Sequence, residues 1–365
     1  MKKKCLVAMS GGVDSSVAAL LMKEQGYDVT AVHMKFWTDD NVAVDANGYM
    51  ESPENACCSI EGVSDIRAVA RQLDIPFYVL DCRDYFKETV VSYFLQGFKD
   101  GETPNPCIMC NRMVKFGYMY KKMREFGADM VATGHYAKII TDGNNYSLVK
   151  PKDTAKYQTY FLYMLTQDIL AHTAFPMGDY LKPEVRQMAE AFGLRLAHKH
   201  ESQEICFVNG RNYRDFLKDR LVESFIPGNI VSTTGEVLGE HVGLPGYTIG
   251  QRKGIQTRST VPLYVVRKDT EKNNLVVGTL EECSKKIITI MDPVLIQGVM
   301  PDIKDDIKVQ IRYQGRQLEI ESLSSDNDKL ILTLKNPEAG IASGQSAVFY
   351  KGDEVLGGGI IKMIQ

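Results

Sequence analysis

The chain has 365 residues, 44% hydrophobic and 24% charged; this length exceeds what one hydrophobic core usually serves, so two or three domains are expected. A formal charge of -3 excludes a protein that coats nucleic acid indiscriminately, because that mode relies on a broad excess of Lys and Arg. No apolar run reaches the roughly 18 residues of a membrane span, and the run after Met1-Lys2-Lys3-Lys4 is too short for a signal peptide, so a cytoplasmic protein with no membrane segment is expected.

From the N-terminus, β-rich apolar runs alternate with helical patterns: a strand over 5–9, a helix over 14–25, and a strand over 29–34. Helical patterns near 63–73 and 84–98 then fit around strands over 77–80 and 129–133. This βαβ rhythm predicts a parallel sheet with its ligand beyond the carboxyl ends of the strands, where Ser10, Met34 and Gly134 lie. Residues 38–58 lack periodicity and read as a long loop. Asn144-Asn145 marks a hairpin, and helical patterns resume over 159–170 and 183–192, the second with Pro183 in its first turn and Gly193 as its cap. A basic amphipathic segment follows Asn212. After Pro227-Gly228, turn signals at Thr234-Gly235, Pro245-Gly246, Asn273-Asn274, Gly315, Asp326-Asn327 and Gly340 separate strand-like runs such as 307–313 and 329–334. The expected organisation is an α/β parallel-sheet catalytic domain over 1–209, a small central domain over 210–280 and a C-terminal β-barrel over 281–365.

The segment Ala8-Met9-Ser10-Gly11-Gly12-Val13-Asp14-Ser15-Ser16 joins the first strand to the first helix. Such a turn presents free backbone N–H groups and the positive end of the helix to an anion, and glycines 11 and 12 let the backbone approach a phosphate. Ser10, Ser15 and Ser16 are expected to add hydroxyl donors, and Asp14 to cap the helix and hold Mg²⁺. A kinase-type loop needs Gly-Lys-Ser/Thr, and this loop has no Lys, so γ-phosphoryl transfer is disfavoured.

Cysteines stand at 5, 57, 58, 82, 107, 110, 206 and 283. In a reducing cytosol these thiols mean chemistry, metal or packing rather than structural disulfides. Cys107 and Cys110 lie three positions apart at the start of a predicted helix, after Thr103-Pro104-Asn105-Pro106, and a helix N-terminus lowers a thiol pKa. Cys206 lies in Glu201-Ser-Gln-Glu-Ile-Cys-Phe207, close to the predicted domain boundary. The set is too small for a four-thiolate zinc framework. Two readings stay open: thiol exchange in which one cysteine carries a persulfide and another resolves it, or a [4Fe-4S] cluster on Cys107, Cys110 and Cys206. Cys5 and Cys82 read as structural, and Cys57-Cys58 receives no role.

The Ser10 to Ser16 loop resembles the signature of the PP-loop ATP pyrophosphatases, which form adenylates. Together with His33-Met-Lys-Phe-Trp37, Thr103 to Asn111, Ala132-Thr-Gly-His-Tyr136, Glu204-Ile-Cys-Phe207, Gly246 to Gly254, Ser343 to Tyr350 and Val355 to Gly359, it resembles the tRNA-specific 2-thiouridylases over nearly the whole chain. The resemblance implies ATP as cofactor and a tRNA anticodon loop as partner, with a sulfur-donor or sulfur-relay protein upstream. It implies adenylation of the wobble uridine O2, with Cys110 as nucleophile and Cys206 as persulfide carrier. Met34 and Gly134 would meet the adenosine through their backbones. Asn105, Pro106 and Cys107 would touch the target base, and Lys156, Tyr157, Gln158, Arg312 and Tyr313 the tRNA. Two positions depart from the pattern: Cys107 stands where Asp is frequent, and Tyr157 replaces an Asp with an aromatic able to stack on a base. Gly250-Gln-Arg-Lys-Gly254, in a domain with Arg211, Arg214, Arg258 and Arg267, suggests phosphate contacts. The competing classes are a small-molecule PP-loop amidotransferase or ligase, which needs neither thiol, and a non-catalytic RNA-binding module.

Overall fold

A computed structural model describes residues 2–37, 60–194, 205–208, 212–257 and 259–362. Cys57, Cys58, Glu204, Arg211, Arg258 and the loop predicted over 38–58 lie outside the described residues. The chain divides into two compact units, Met1–Val90 with Cys107–Gly210 and Asp353–Val355, and Val91–Pro106 with Arg211–Gly352 and Leu356–Gln365.

In chain order the elements begin β1 (Lys4–Ala8), α1 (Val13–Glu24), β2 (Asp28–Lys35), α2 (Ile60–Gln72), β3 (Phe77–Asp81), α3 (Arg83–Phe86) and α4 (Ser92–Lys99). They continue α5 (Pro106–Met109), α6 (Met119–Glu125), β4 (Met130–Thr133), β5 (Lys138–Asp142), β6 (Asn145–Val149), α7 (Gln167–Ala171), β7 (Thr173–Ala174) and α8 (Lys182–Ala191). The first unit is built on a wholly parallel sheet in the order β3-β2-β1-β4-β7. Cys5, Leu6 and Val7 are successive and all buried, as a strand covered on both faces requires. Helix α1 buries residues all round, including Ser15 and Ser16, and packs on α8 as well as on the sheet. Its first turn, and the loop before it, are therefore fixed from several sides.

The second unit holds α9 (Tyr213–Arg220) and a sheet in the order β10-β11-β8-β9, formed by β8 (Gly228–Ser232), β9 (Val237–His241), β10 (Tyr264–Asp269) and β11 (Asn274–Gly278). After α10 (Leu280–Cys283) come β12 (Ser284–Leu295), β13 (Ile307–Gln310), β14 (Leu318–Asp326), β15 (Lys329–Ala339), β16 (Ser346–Lys351) and β17 (Glu354–Lys362). They run in the order β12-β15-β14-β13-β16-β17, and the pairing of β12 with β17 closes them into a six-stranded barrel. Ile288, Val309, Leu332, Leu334 and Phe349 fill it. The α/β parallel sheet, the smaller central sheet and the β-barrel are the fold class read from the sequence.

Three local expectations change. The helix predicted over 159–170 is a 3₁₀ turn, Thr159–Phe161, and then α7, because the apolar run Tyr160, Leu162, Tyr163, Met164 and Leu165 is buried without a helical stripe and Thr166 caps a new start. The hairpin turn is Gly143-Asn144, one residue earlier than predicted, since Gly143 takes the positive φ of 64°. The strand predicted to Tyr313 stops at Gln310, ahead of a turn in which Gln314 has φ 58°.

Candidate active site

The loop between β1 and α1 is braced by its own serines. Gly12 is the N-cap of α1, and no side chain caps that helix. Ser16 Oγ donates to the Gly12 carbonyl at 3.0 Å and Ser15 Oγ to the same oxygen at 3.1 Å, while Ser10 N donates to Ser15 Oγ at 3.1 Å. The hydroxyls of Ser15 and Ser16, expected as phosphate donors, are thus spent on holding the loop's shape. Gly11 has φ 78°, a conformation that a side chain would strain. The direction a Cβ would take from Gly12 meets only Ser10 Oγ, at 3.6 Å, so space stays open over the helix N-terminus for a phosphate. At the start of the loop His33 Nδ1 lies 3.0 Å from the Met9 carbonyl. Burial holds this imidazole below its ordinary pKa, with the Met9 bond opposing, so Nδ1 carries the proton and donates.

Gly134 forms the opposite wall. A Cβ there would stand 2.6 Å from Ser15 N and 2.8 Å from the Asp14 carbonyl carbon, so only glycine lets this segment lie against α1. Next to it, His135 Nδ1 is 2.8 Å from Thr133 Oγ1, and its ring packs on Phe116 and Phe175. Burial, helped by the charge of Lys115, drives His135 well below its usual pKa and keeps it neutral.

Asp14 does not cap the helix. Its carboxylate accepts from Tyr136 Oη at 2.9 Å and from Lys182 Nζ at 2.7 and 2.8 Å. The reason is positional: Gly12 is the N-cap, so Asp14 falls inside the first turn rather than ahead of it. Asp14, expected to hold Mg²⁺, spends its carboxylate on Tyr136 and Lys182. ATP phosphates do fit the loop itself, through its uncapped helix end and the open face of Gly12.

The thiols sit on short, irregular elements of the same unit. Cys107 is the second residue of α5, and Cys110 opens a π-helix, Cys110–Tyr118, which Asn111 ties to the Phe161 carbonyl at 3.1 Å. Cys110 is buried; solvent reaches Cys107, although protein surrounds it on most sides. That crowding pushes the Cys107 thiol up, with the charge of Lys115 opposing. The lowering expected from a helix N-terminus is outweighed here, because desolvation is the larger effect on this thiol. Cys206 is exposed in the 3₁₀ turn Cys206–Val208, and Phe207 anchors it by packing on Phe86 and Trp37, with Phe86 stacked on Phe36 just beyond β2. Cys5, Cys82 and Cys283 are buried, and burial takes Cys5 to about 12, as suits packing thiols. Among the described residues no three His, Cys, Asp or Glu side chains converge as metal ligands. Cys107, Cys110 and Cys206 therefore do not fit an iron–sulfur cluster as they stand.

Of the residues expected at tRNA, Gln158 pairs reciprocally with Tyr136: Gln158 N donates to its carbonyl at 2.8 Å and Tyr136 N to Gln158 Oε1 at 2.9 Å. Lys156 N is held by the Asp153 carbonyl, and the Tyr157 ring has Lys150 Nζ 5.6 Å from its centre. In the second unit, Thr103 N donates to the Ser343 carbonyl at 2.8 Å and Gln345 Nε2 to the Thr103 carbonyl at 2.6 Å, which fastens the strap that leads to Asn105 and Pro106 onto the barrel. Gly344, at φ 88°, makes the approach possible: a Cβ there would meet the Thr103 carbonyl carbon at 2.9 Å. Arg312 is half exposed and reaches Glu338 at 3.4 Å, with Tyr313 beside it in the turn; Arg316 reaches the same carboxylate at 2.5 Å.

Residues 3–210 match the family model described as tRNA methyl transferase HUP domain, 214–279 that of the tRNA methyl transferase PRC-barrel domain, and 285–361 that of the Aminomethyltransferase beta-barrel domain. Over 362 residues the chain is 44% identical to the tRNA-specific 2-thiouridylase MnmA of Moorella thermoacetica, covering 98% of this chain and 99% of that one. The chain belongs to the tRNA-specific 2-thiouridylase family. A second relative of that name, from Clostridium beijerinckii, is 43% identical over 364 residues with full coverage of both chains. A solved 4-thiouridine synthetase bound to RNA and ATP is 18% identical over 60% of this chain and 51% of that one, at a TM-score of 0.37, a likeness too loose to carry chemistry across.

For a 2-thiouridylase the sequence reading overlooked Lys182, whose partner Asp14 is 168 residues away, and Glu338, which gathers Arg312 and Arg316. It overlooked Lys115 too, whose charge acts on both Cys107 and His135.

Proposed function

We propose that the chain is an ATP-dependent tRNA sulfurtransferase that converts the wobble uridine to 2-thiouridine, releasing AMP and pyrophosphate. The observation that carries this reading is full-length identity above 40% to relatives named tRNA-specific 2-thiouridylase, in a chain that keeps the Ser10 to Ser16 loop with Cys110 and Cys206. The loop and Gly134 cradle ATP, with the backbones of Met34 and Gly134 at the adenosine. The uridine O2 attacks the α-phosphorus as the bond to the β-phosphate breaks, which turns a poor leaving group into AMP. The outer sulfur of a persulfide on Cys206 then attacks C2 and AMP departs. Cys110 thiolate attacks the inner sulfur of Cys206; the S–S bond breaks, sulfur stays on the base, and a Cys110–Cys206 disulfide remains for reduction. A sulfur-relay protein reloads Cys206.

Asn105, Pro106 and Cys107 face the target base, while Lys156, Tyr157, Gln158, Arg312 and Tyr313 hold the tRNA. An anticodon-loop base is unstacked and can be enclosed without melting a helix. Exposure of Cys206 favours persulfide exchange over the cluster reading, since a donor protein must reach it. The protein works in the cytoplasm, with Mg²⁺ brought in on the nucleotide. The test is nucleoside mass analysis of tRNA incubated with enzyme, ATP and a persulfide donor. The reading expects 2-thiouridine with one pyrophosphate released per sulfur inserted; pyrophosphate release without tRNA, with AMP transferred to a carboxylate substrate, would instead identify a small-molecule ligase.

A further inference from the structure

The phosphate loop lacks the lysine that other nucleotide loops place on their phosphates, yet a lysine is present at its side. Lys182, in the first turn of α8, is buried and sets Nζ at 2.7 and 2.8 Å from the two carboxylate oxygens of Asp14. Its ammonium also lies 5.8 Å from the centre of the Tyr136 ring, and Tyr136 Oη donates to the same carboxylate. The residue is fixed at its other end as well, because its backbone N–H donates to Asp153 Oδ2 at 2.9 Å.

Three features argue against a role in stability alone. An ion pair with a buried lysine is a poor source of stability, since desolvation of the ammonium offsets much of the attraction to the half-buried Asp14. Helix α8 has no need of this side chain at its start, where Asp153 accepts from Lys182 N and Glu184 from Leu181 N. The partner, Asp14, belongs to the first turn of the one helix whose uncapped N-terminus faces the phosphate space. A carboxylate placed there, next to where an anion must bind, competes with that anion for the cation beside it.

We propose that Lys182 is the pyrophosphate-binding cation of this enzyme, held by Asp14 until the nucleotide arrives. The inference rests on the reading that ATP is cleaved to AMP and pyrophosphate. As uridine O2 bonds to the α-phosphorus, the electron pair of the breaking bond goes to an oxygen of the leaving pyrophosphate. Lys182 donates an N–H hydrogen bond to that group, while Tyr136 keeps its bond to Asp14. AMP, which lacks those phosphates, gains nothing from Lys182. The lysine that a kinase-type loop carries in its own sequence is here delivered from a helix far along the chain.

Calorimetric titration of the full-length enzyme with pyrophosphate and, separately, with AMP, both without divalent metal, tests this. Lys182→Gln is expected to weaken pyrophosphate about tenfold or more, the worth of one hydrogen bond to a charged group, and to leave AMP within about twofold. Lys182→Arg is expected to restore most of the pyrophosphate affinity. Asp14→Asn, which removes the competing carboxylate and keeps the side chain's shape, is expected to tighten pyrophosphate; this result does not depend on the Lys182 variants folding. Equal losses for AMP and pyrophosphate in Lys182→Gln, or unchanged or weaker pyrophosphate binding in Asp14→Asn, would overturn the proposal. A wild-type enzyme that binds neither product would instead count against the ATP-cleaving reading itself.

Discussion

The nucleotide loop and the thiol-bearing segments of the first unit are built in opposite ways. The loop lies between a buried strand and a helix buried all round, with its serine hydroxyls spent on its own carbonyls. Cys107 and Cys206 instead stand exposed on elements of four and three residues, and Cys110 opens a π-helix. The contrast follows from the chemistry each performs. Binding a polyphosphate needs dipoles already fixed in place, because reorganising them during the reaction would cost the stabilisation they offer. Passing sulfur between thiols needs atoms that a donor, a resolving thiolate and a base can each reach in turn.

Substitutions at the thiols should separate the two regions most sharply. Cys110→Ser and Cys206→Ser should each lower 2-thiouridine formation by roughly 10³-fold or more, as loss of a covalent participant does. Both should keep tRNA-dependent adenylation, read as pyrophosphate release in a single turnover. Loss of adenylation in either variant would mean that the regions are not separable. The converse change is Gly134→Ala, whose new Cβ collides with the backbone of Ser15 and Asp14. It should slow adenylation by about 10²-fold through displacement of the loop, while persulfide loading of Cys206, followed by mass spectrometry, proceeds as in the wild type.

Two smaller effects concern how firmly the loop side is set. Ser16→Ala removes one buried hydrogen bond to Gly12 and should cost about 1 kcal/mol in urea denaturation, seen as a lower midpoint with an unchanged slope. His135 supplies a pH signature. Its folded pKa is depressed well below 6.5 by burial, so in acid the unfolded chain takes up the proton first. Its contribution to stability is complete above the unfolded value and is lost as the pH falls through the folded one. The denaturation midpoint should therefore drop from about pH 7.5 to 5.5, and His135→Phe should flatten that drop. An identical profile in the variant would assign the proton to another group, such as His33, which burial also depresses.

The sequence made the nucleotide side legible because its signals are local: an apolar strand, two glycines and a helix start within a dozen residues. The roles within it were less legible. Placing Asp14 at the cap misjudged the cap of α1 by two residues, and no local pattern connects Asp14 to Lys182. The thiols were visible as residue types and spacing, but their environment was not. A lowered thiol pKa presumed that the helix start after Pro106 leaves the thiol in solvent, whereas the protein packed around Cys107 makes desolvation the larger effect. In the barrel, turn residues foretold the alternation of strands, yet the clasp of Ser343 to Gln345 on Thr103 joins positions some 240 residues apart and left no trace in composition.

The central claim is that sulfur travels from Cys206 to the uridine while Cys110 closes the turnover. Its most direct test loads Cys206 with isotopically labelled persulfide in iron-free protein and adds ATP and unmodified tRNA for one turnover. The account predicts labelled sulfur at C2 of the wobble uridine, one AMP per label transferred, and a Cys110–Cys206 disulfide in the peptide map. Label that remains on the protein, or that moves only after iron and sulfide are restored, would contradict it.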